Sequence, residues 1–359
     1  MKTLLFAPEV FRAEGGIARI LRAYLYALAS DKAEGESVGA IVLNDPPDAT
    51  GRIPLYLRST QLAPLVMADR SKLEFILACL LHAWRSDRII CGHIHLAAVA
   101  RLVQWLRPKL KYYVIAHGIE VWRPYSWGER RALKHAERIL CVSEYTRSQM
   151  LRFMPELEPS KLVIVPNTLD PDFALPTPVS VPDTPGPRIL TVARLTQDDT
   201  YKGVDTLIEA MPLIRARLPN AHLRIVGGGN DEERLTRLAK RYGGPSVVEL
   251  LGRLDDARLK EEYARCTFFA LPSRKEGFGL VYLEAMSFGK PCLGARAGGV
   301  PEVVNDEVGE LVAYGHIDHI ADACVRLAHR RFDPEKIRTH LQHYSFEIFR
   351  QRLRAALSD

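Results

Sequence analysis

The hydrophobic pattern of this chain changes period every few residues. Apolar runs at residues 3–7, 38–43, 88–91, 112–115, 138–142 and 162–165 are short and continuous, and they are bounded by polar or glycine-containing stretches. Such runs predict buried strands. Between them, residues 17–29, 72–84 and 97–105 repeat apolar positions every three to four residues, which predicts helices. A second series follows. Its strands are expected at 188–192, 222–226, 247–251, 268–271 and 291–295, and its helices at 204–217, 231–242 and 281–288. A final helical region ends in residues 346–357. Strand and helix alternate throughout, so the fold class is α/β with parallel sheets.

Residues 171–187 interrupt this alternation with six prolines and no apolar period. That composition predicts a stiff linker. The expected division is a first domain at 1–175, a second domain at 176–345, and a terminal helix at 346–359 that crosses back to the first domain. With 359 residues and 47% hydrophobic content, each domain can bury its own core.

Composition excludes several classes. No apolar run approaches the ~20 residues of a membrane helix. The N-terminal run reads as a first core strand rather than a signal peptide, because acidic residues and glycines follow it. The most apolar stretch, residues 73–84, is flanked by charge. It reads as a core helix, with a membrane-facing helix as the alternative. Six scattered cysteines without a C-x-x-C pair argue against disulfides or zinc, and for a cytosolic chain. The net charge of +6 is carried by residues 1–170, which hold 23 Lys and Arg against 17 Asp and Glu, while the remainder is balanced. This excess is either a solvated surface or an attraction to a phosphorylated ligand or to anionic lipid at the inner face of the cytoplasmic membrane. Nucleic acid is not expected as a partner, because no basic run is interleaved with aromatics.

The segment Ser273-Arg274-Lys275-Glu276-Gly277-Phe278-Gly279-Leu280-Val281-Tyr282-Leu283-Glu284 follows an apolar strand and opens a helix. Ligands of open parallel sheets bind beyond the strands' carboxyl ends. The glycines allow close backbone approach, and helix amides accept an anionic group. Glu276 lies in the loop and Glu284 inside the helix, so the two carboxylates address different parts of an elongated ligand. Upstream, Arg194 leaves a strand and Lys202 precedes Gly203 and a helix, two fixed cations for a diphosphate. In the first half, Gly15-Gly16 follows the first strand, and Ala116-His117-Gly118-Ile119-Glu120-Val121-Trp122 follows another.

These motifs resemble glycosyltransferase family 4, whose retaining members have the GT-B fold of two Rossmann-like domains facing across a cleft. The resemblance covers nearly the whole chain and is strongest at 188–312. Two glutamates separated by seven residues are the family's signature, met by Glu276 and Glu284. The resemblance implies that Glu276 lies near the donor sugar and that Glu284 binds the ribose hydroxyls. It places the backbone of Phe278, Gly279 and Leu280 at the sugar or diphosphate. It assigns Arg194 and Lys202 to the phosphates, His117 to the donor sugar, and Gly16 to the glycine loop of the first domain. Gly227 and Leu254 are expected to border the nucleotide, with Glu120 and Trp122 on the acceptor side. The string H-G-x-E-x-W is most similar to bacterial mannosyltransferases acting on lipid-linked or inositol-type acceptors, which favours GDP-mannose over a UDP-hexose. The stretch Thr196–Thr200 is longer than in many members, and Thr168 stands where the family usually has glycine.

Other motifs carry less. Val226-Gly227-Gly228-Gly229 lacks the full G-x-G-x-x-G of a dinucleotide site. Asp170-Pro171-Asp172, His93-Ile94-His95 and His316 with His319 have metal-like spacing without a completing ligand set. No metal cofactor is therefore expected, and the implied partners are a nucleotide-sugar donor and a glycan or lipid-linked acceptor. A nucleotide-sugar epimerase of the same fold and a catalytically silent sugar-nucleotide-binding subunit remain as alternatives.

Overall fold

The computed structural model describes residues 1–12, 15–30, 36–171, 173 and 186–358. Most of the expected linker, including Asp172, lies outside the described residues. The chain forms two units, Met1–Asp172 with Tyr344–Asp359, and Phe173–His343.

The first unit holds a sheet of seven strands: β1 (Lys2–Ala7), β2 (Ser37–Val42), β3 (Leu65–Met67), β4 (Arg88–Cys91), β5 (Lys111–Ala116), β6 (Arg138–Cys141) and β7 (Leu162–Ile164). Their order is β3-β2-β1-β4-β5-β6-β7, and every pairing is parallel. The strands read as continuous apolar runs because both faces are covered. Leu4, Phe6, Ile89, Cys91, Tyr112 and Val114 face one core, shared with the helices Lys72–Ala83, Ala97–Leu106 and Trp127–His135. Their alternating neighbours Leu5, Ala7, Ile90, Tyr113 and Ile115 face the other, with the helices Gly16–Ser30 and Phe346–Leu357.

That terminal helix is held by specific contacts. Ser345 caps its start by accepting from Ile348 N. The Phe349 ring meets Tyr24 edge-on at 4.9 Å. Arg138 Nη1 donates to the carbonyls of Ala355 and Ala356 at 3.1 and 2.9 Å, serving acceptors that a helix C-terminus leaves open.

The helix Lys72–Ala83 departs from the expectation of a core helix. Phe75, Cys79 and Ala83 are buried, but Leu73, Leu77 and Leu81 are exposed. Each set recurs every fourth residue, so the helix carries two apolar stripes and the sheet covers one.

The second unit repeats the plan with β8 (Arg188–Val192), β9 (His222–Val226), β10 (Val248–Gly252), β11 (Phe268–Leu271), β12 (Cys292–Ala295) and β13 (Gly309–Val312). All are parallel, in the order β10-β9-β8-β11-β12-β13. β3 and β13 have no sequence counterpart above. Each is a short edge strand, three and four residues long, that pairing rather than periodicity defines. All six cysteines are buried thiols. Among the described residues no helix is long and apolar enough to cross a membrane.

Replacing Phe349 by alanine should destabilise the first unit by about 3–5 kcal/mol, the usual cost of deleting a buried ring. Chemical denaturation followed by Tyr and Trp signals checks this; a change below about 1 kcal/mol would show that the terminal helix is not part of that unit's core.

Candidate active site

In each sheet the strand order reverses beside the first strand of the unit, between β1 and β4 and between β8 and β11. Loops leaving those strand pairs diverge to opposite faces and open a crevice at the carboxyl edge. In the second unit these two loops carry Arg194 to Lys202 and Pro272 to Gly279. Parallel pairing therefore brings together residues that stand some seventy positions apart.

Asp199 organises the first of these loops. Its carboxylate is almost fully buried and accepts from Arg194 Nε at 2.5 Å, Arg194 Nη2 at 3.0 Å, Thr196 Oγ1 at 2.5 Å and Tyr201 OH at 2.6 Å. Burial opposes its charge, but these hydrogen bonds outweigh burial and hold the carboxyl at about 2. Arg194 is thereby gripped along one edge while its side chain stays 68% exposed. A bidentate grip of this kind aims a guanidinium without neutralising its outer face.

Lys202 Nζ lies 2.6 Å from Glu276 Oε2, with only 17% and 15% of the two side chains exposed. The two loops are joined again by Arg274 N, which donates to Tyr201 O at 2.8 Å, and by the buried Ser273, whose Oγ reaches the same carbonyl at 3.4 Å. The backbone of Glu276 is fixed from a third side. Gly299 N donates to Glu276 O at 2.7 Å, and a Cβ at Gly298 would lie 2.5 Å from that oxygen. Gly298 also has φ +61°, so a side chain there is excluded by both space and backbone.

Gly279 adopts the left-handed conformation and starts the helix Leu280–Ser287. Phe278 is buried, and Leu280 is half-buried in the first turn. Tyr282 OH donates to Leu271 O at 2.5 Å, which clamps that helix to the end of β11. Glu284 is buried one turn further on and accepts from Tyr263 OH at 2.8 Å. Tyr263 is itself packed among Phe173, Phe269 and Phe288, with the Phe288 ring stacked at 5.9 Å. Gly227 follows β9, donates to Gly252 O at 2.9 Å and lies against Ala193 O. Leu254 is half-buried in the loop after β10.

In the first unit Gly16 opens the helix after β1. His117 leaves β5, and its Nε2 lies 2.8 Å from Gly92 O, after β4. A carbonyl can only accept, so Nε2 carries the proton and Nδ1 is left as an acceptor. Nδ1 is buried and has no protein partner. Burial pushes the imidazole down to about 4, against the opposing Gly92 hydrogen bond. Glu120 turns back on its own loop, its Oε1 accepting from His117 N at 2.6 Å and Gly118 N at 3.2 Å. Burial raises its pKa. Trp122 packs edge-on against Tyr145 at 4.9 Å, and its buried Nε1 has no protein acceptor. His93 stacks on His95 at 4.7 Å and lies 6.3 Å from the His117 ring.

Sequence reading named these cations and carboxylates as candidates but missed what fixes them in place. Asp199 lay in a stretch read only as an insertion, and Tyr201 beside Lys202 was given no role. Gly298-Gly299 and Gly92 carried a legible glycine signal, but nothing in sequence links them to Glu276 or His117. Tyr263 carried none. Of the metal-like spacings, Asp170 accepts from Arg22 and Tyr56, and His316 stacks on His319. Among the described residues no group of three or more His, Cys, Asp or Glu is placed to hold a metal ion.

Residues 15–173 match the family model for Glycosyltransferase Family 4, and residues 178–345 match that for glycosyl transferases group 1. A GDP-mannose-dependent alpha-(1-6)-phosphatidylinositol monomannoside mannosyltransferase of Mycobacterium tuberculosis is 34% identical over 214 residues, 55% of this chain and 54% of that one. The chain thus spans about half the length of such relatives. The alpha-maltose-1-phosphate synthase of the same organism is 28% identical over 348 residues, 88% of this chain and 84% of that one. Among solved structures, Anabaena HepE in complex with UDP superposes with a TM-score of 0.76 at 18% identity, covering 99% of each chain. The lipopolysaccharide outer core galactosyltransferase WaaB gives 0.73 at 18%, again over 99% of each. The two structural matches show the GT-B fold of two Rossmann-like parallel-sheet domains, and the two family models show that the chain belongs to the group 1, family 4 glycosyltransferases.

Proposed function

We propose that the protein is a retaining, metal-independent glycosyltransferase. It moves a hexose from a nucleoside-diphosphate sugar, GDP-mannose ahead of a UDP-hexose, to a glycan or lipid-linked acceptor in cell-surface polysaccharide or glycolipid synthesis. The observation that carries this reading is the grouping of Arg194, Lys202 and Glu276 on the two loops that flank the switch point of the second sheet, with Glu284 one helical turn beyond. GDP-mannose is favoured because the 34%-identical relatives are GDP-mannose-dependent by name. The likeness to UDP-bound HepE concerns the fold and keeps a UDP-hexose second.

In this reading Glu284, oriented by Tyr263, accepts hydrogen bonds from the donor's ribose hydroxyls. Arg194 and Lys202 face the diphosphate. Both are held by carboxylates before any substrate arrives, so little reorganisation is needed as charge develops on the leaving group. The bond from the anomeric carbon to the phosphate oxygen breaks, and the nucleoside diphosphate leaves with the electron pair. The acceptor oxygen attacks the same face, and its proton passes to the departing phosphate. Glu276 orients the sugar, tied to Lys202 on one side and to the Gly298-Gly299 backbone on the other. His117 Nδ1 accepts from a sugar hydroxyl, because the Gly92 carbonyl holds the ring's proton on Nε2. Glu120 shapes that loop, and Trp122 Nε1 offers a donor to the acceptor sugar.

Three outcomes test this. Thermal shift with GDP-mannose, UDP-glucose, UDP-galactose and UDP-N-acetylglucosamine should show one nucleotide class stabilising the protein, by about 2.7 kcal/mol at a hundredfold excess over its dissociation constant. Glu284→Ala should abolish that gain and Tyr263→Phe should reduce it; no shift with any donor would move the reading to a silent subunit. Arg194→Ala and Lys202→Ala should each lower kcat about 100-fold or more, the usual effect of removing one preorganised donor, and unchanged turnover in both would refute their roles. Finally, His117 is depressed to about 4 in the folded protein, against about 6.5 for a free imidazole. Between those values the unfolded chain binds a proton that the folded chain does not, so His117 makes stability decline as pH falls from about 6.5 towards 4. His117→Gln should flatten that part of the stability profile in urea titrations; an unchanged slope would show the imidazole to be solvated.

A further inference from the structure

We infer that the first unit carries a docking face for an anionic lipid surface, built by the neighbouring helices Lys72–Ala83, Ala97–Leu106 and Trp127–His135. The inner sides of all three are buried in one core, through Phe75, Cys79, Ala100, Val103, Ala132 and Leu133. The outer sides of the first two are apolar as well, and that of the third is charged apart from Trp127. Leu73, Leu77 and Leu81 are 71%, 57% and 69% exposed, and Trp84 follows directly. The next helix exposes Leu102, Trp105 and Leu106, and the third begins with Trp127. Most of the large apolar side chains exposed among the described residues therefore lie on this one set of helices. A soluble surface scatters such residues singly; a contiguous group marks an interaction face.

The charges around it select the partner. Lys72, Arg85, Lys109, Arg131 and Lys134 are exposed on or beside these helices, against exposed Glu74, Asp87 and Glu137. Asp87 accepts from Lys2 N, Glu137 pairs with Lys111, and Lys134 pairs with the exposed Glu156, which leaves Lys72, Arg85, Lys109 and Arg131 in excess over Glu74. Arg131 also lies over the Trp127 ring, 5.3 Å from its centroid. Leucines flanked by tryptophans and cations are the composition of an element lying in the headgroup region of a bilayer. A second copy of the chain would bring this cationic rim against itself, which like-charge repulsion disfavours. The helix Ala97–Leu106 starts at the carboxyl edge of the sheet, shortly after Gly92, whose carbonyl meets His117. A lipid-borne acceptor held at this face is presented to the first unit.

The test uses the full chain and needs no donor, so its failure is separate from failure of the catalytic reading. Flotation with phosphatidylcholine vesicles containing a third phosphatidylglycerol is compared with phosphatidylcholine alone. Three of the four tryptophans lie on the face and report its burial directly by a blue shift in emission. Binding is expected to the anionic vesicles only, with a blue shift, and to weaken in high salt. The triple variant Leu73→Ser/Leu77→Ser/Leu81→Ser should lower partitioning at least ~10-fold by removing apolar burial. Lys72→Ala with Arg85→Ala should lower it by about 25-fold, roughly fivefold for each charge. All of these side chains are exposed, so melting temperature and donor-induced thermal shift should be unchanged, which separates loss of docking from loss of fold. Absence of binding to every vesicle would overturn the proposal. So would binding that the leucine variant leaves intact, or a concentration-dependent dimer that the leucine variant dissolves in place of vesicle binding.

Discussion

Parallel strand pairing obliges every strand of a sheet to end at the same edge, and the remaining features of this protein depend on that constraint. Hydrogen bonding in register places the ends of β8 and β11 side by side, although the loops they release are distant in sequence. The strand order reverses there, so adjacent loops part and leave backbone amides and side chains facing an open crevice. Arg194, Lys202 and Glu276 are gathered by this geometry, and in the other unit parallel pairing of β4 with β5 brings Gly92 and His117 together one strand beyond the reversal.

Position alone would leave long charged side chains free to move. Here each cation is held by a carboxylate: Arg194 by the buried Asp199, and Lys202 by Glu276. Such pairs gain little net stability, because desolvation offsets much of the Coulomb attraction. Their effect is directional. A charge already oriented in a partly buried crevice costs little reorganisation when an anionic group arrives. The same logic applies to uncharged groups. The Gly92 carbonyl sets the His117 tautomer, and the aromatic packing around Tyr263 sets the hydroxyl that meets Glu284.

The two faces of the first sheet are treated differently. One is closed by the helices Gly16–Ser30 and Phe346–Leu357, the latter returning from the end of the chain. The other is covered by three helices, of which Lys72–Ala83 and Ala97–Leu106 remain apolar on their outer side. Burial of the inner stripe accounts for folding. The outer stripe is in excess of what the core requires, and its cationic rim gives that excess a direction.

By itself the sequence determined the local elements and the candidate site side chains. Continuous apolar runs bounded by loops specified strands buried on both faces; the runs at 88–91, 188–192, 222–226 and 268–271 have the bounds seen in the sheets. The two glutamates around Gly277-Phe278-Gly279, and the strand-end Arg194 and His117, were legible because residue type and strand-end position are both local properties. Tertiary structure alone decided the partners. Gly298 admitting the Glu276 backbone and Tyr263 orienting Glu284 are contacts made across a parallel pairing and between packed helices, where sequence separation carries no distance information, and Asp199 gripping Arg194 depends on the fold of one irregular loop that has no periodic pattern. It also decided which stripe of the helix Lys72–Ala83 was buried, since both repeat every fourth residue and only packing against the sheet distinguishes them.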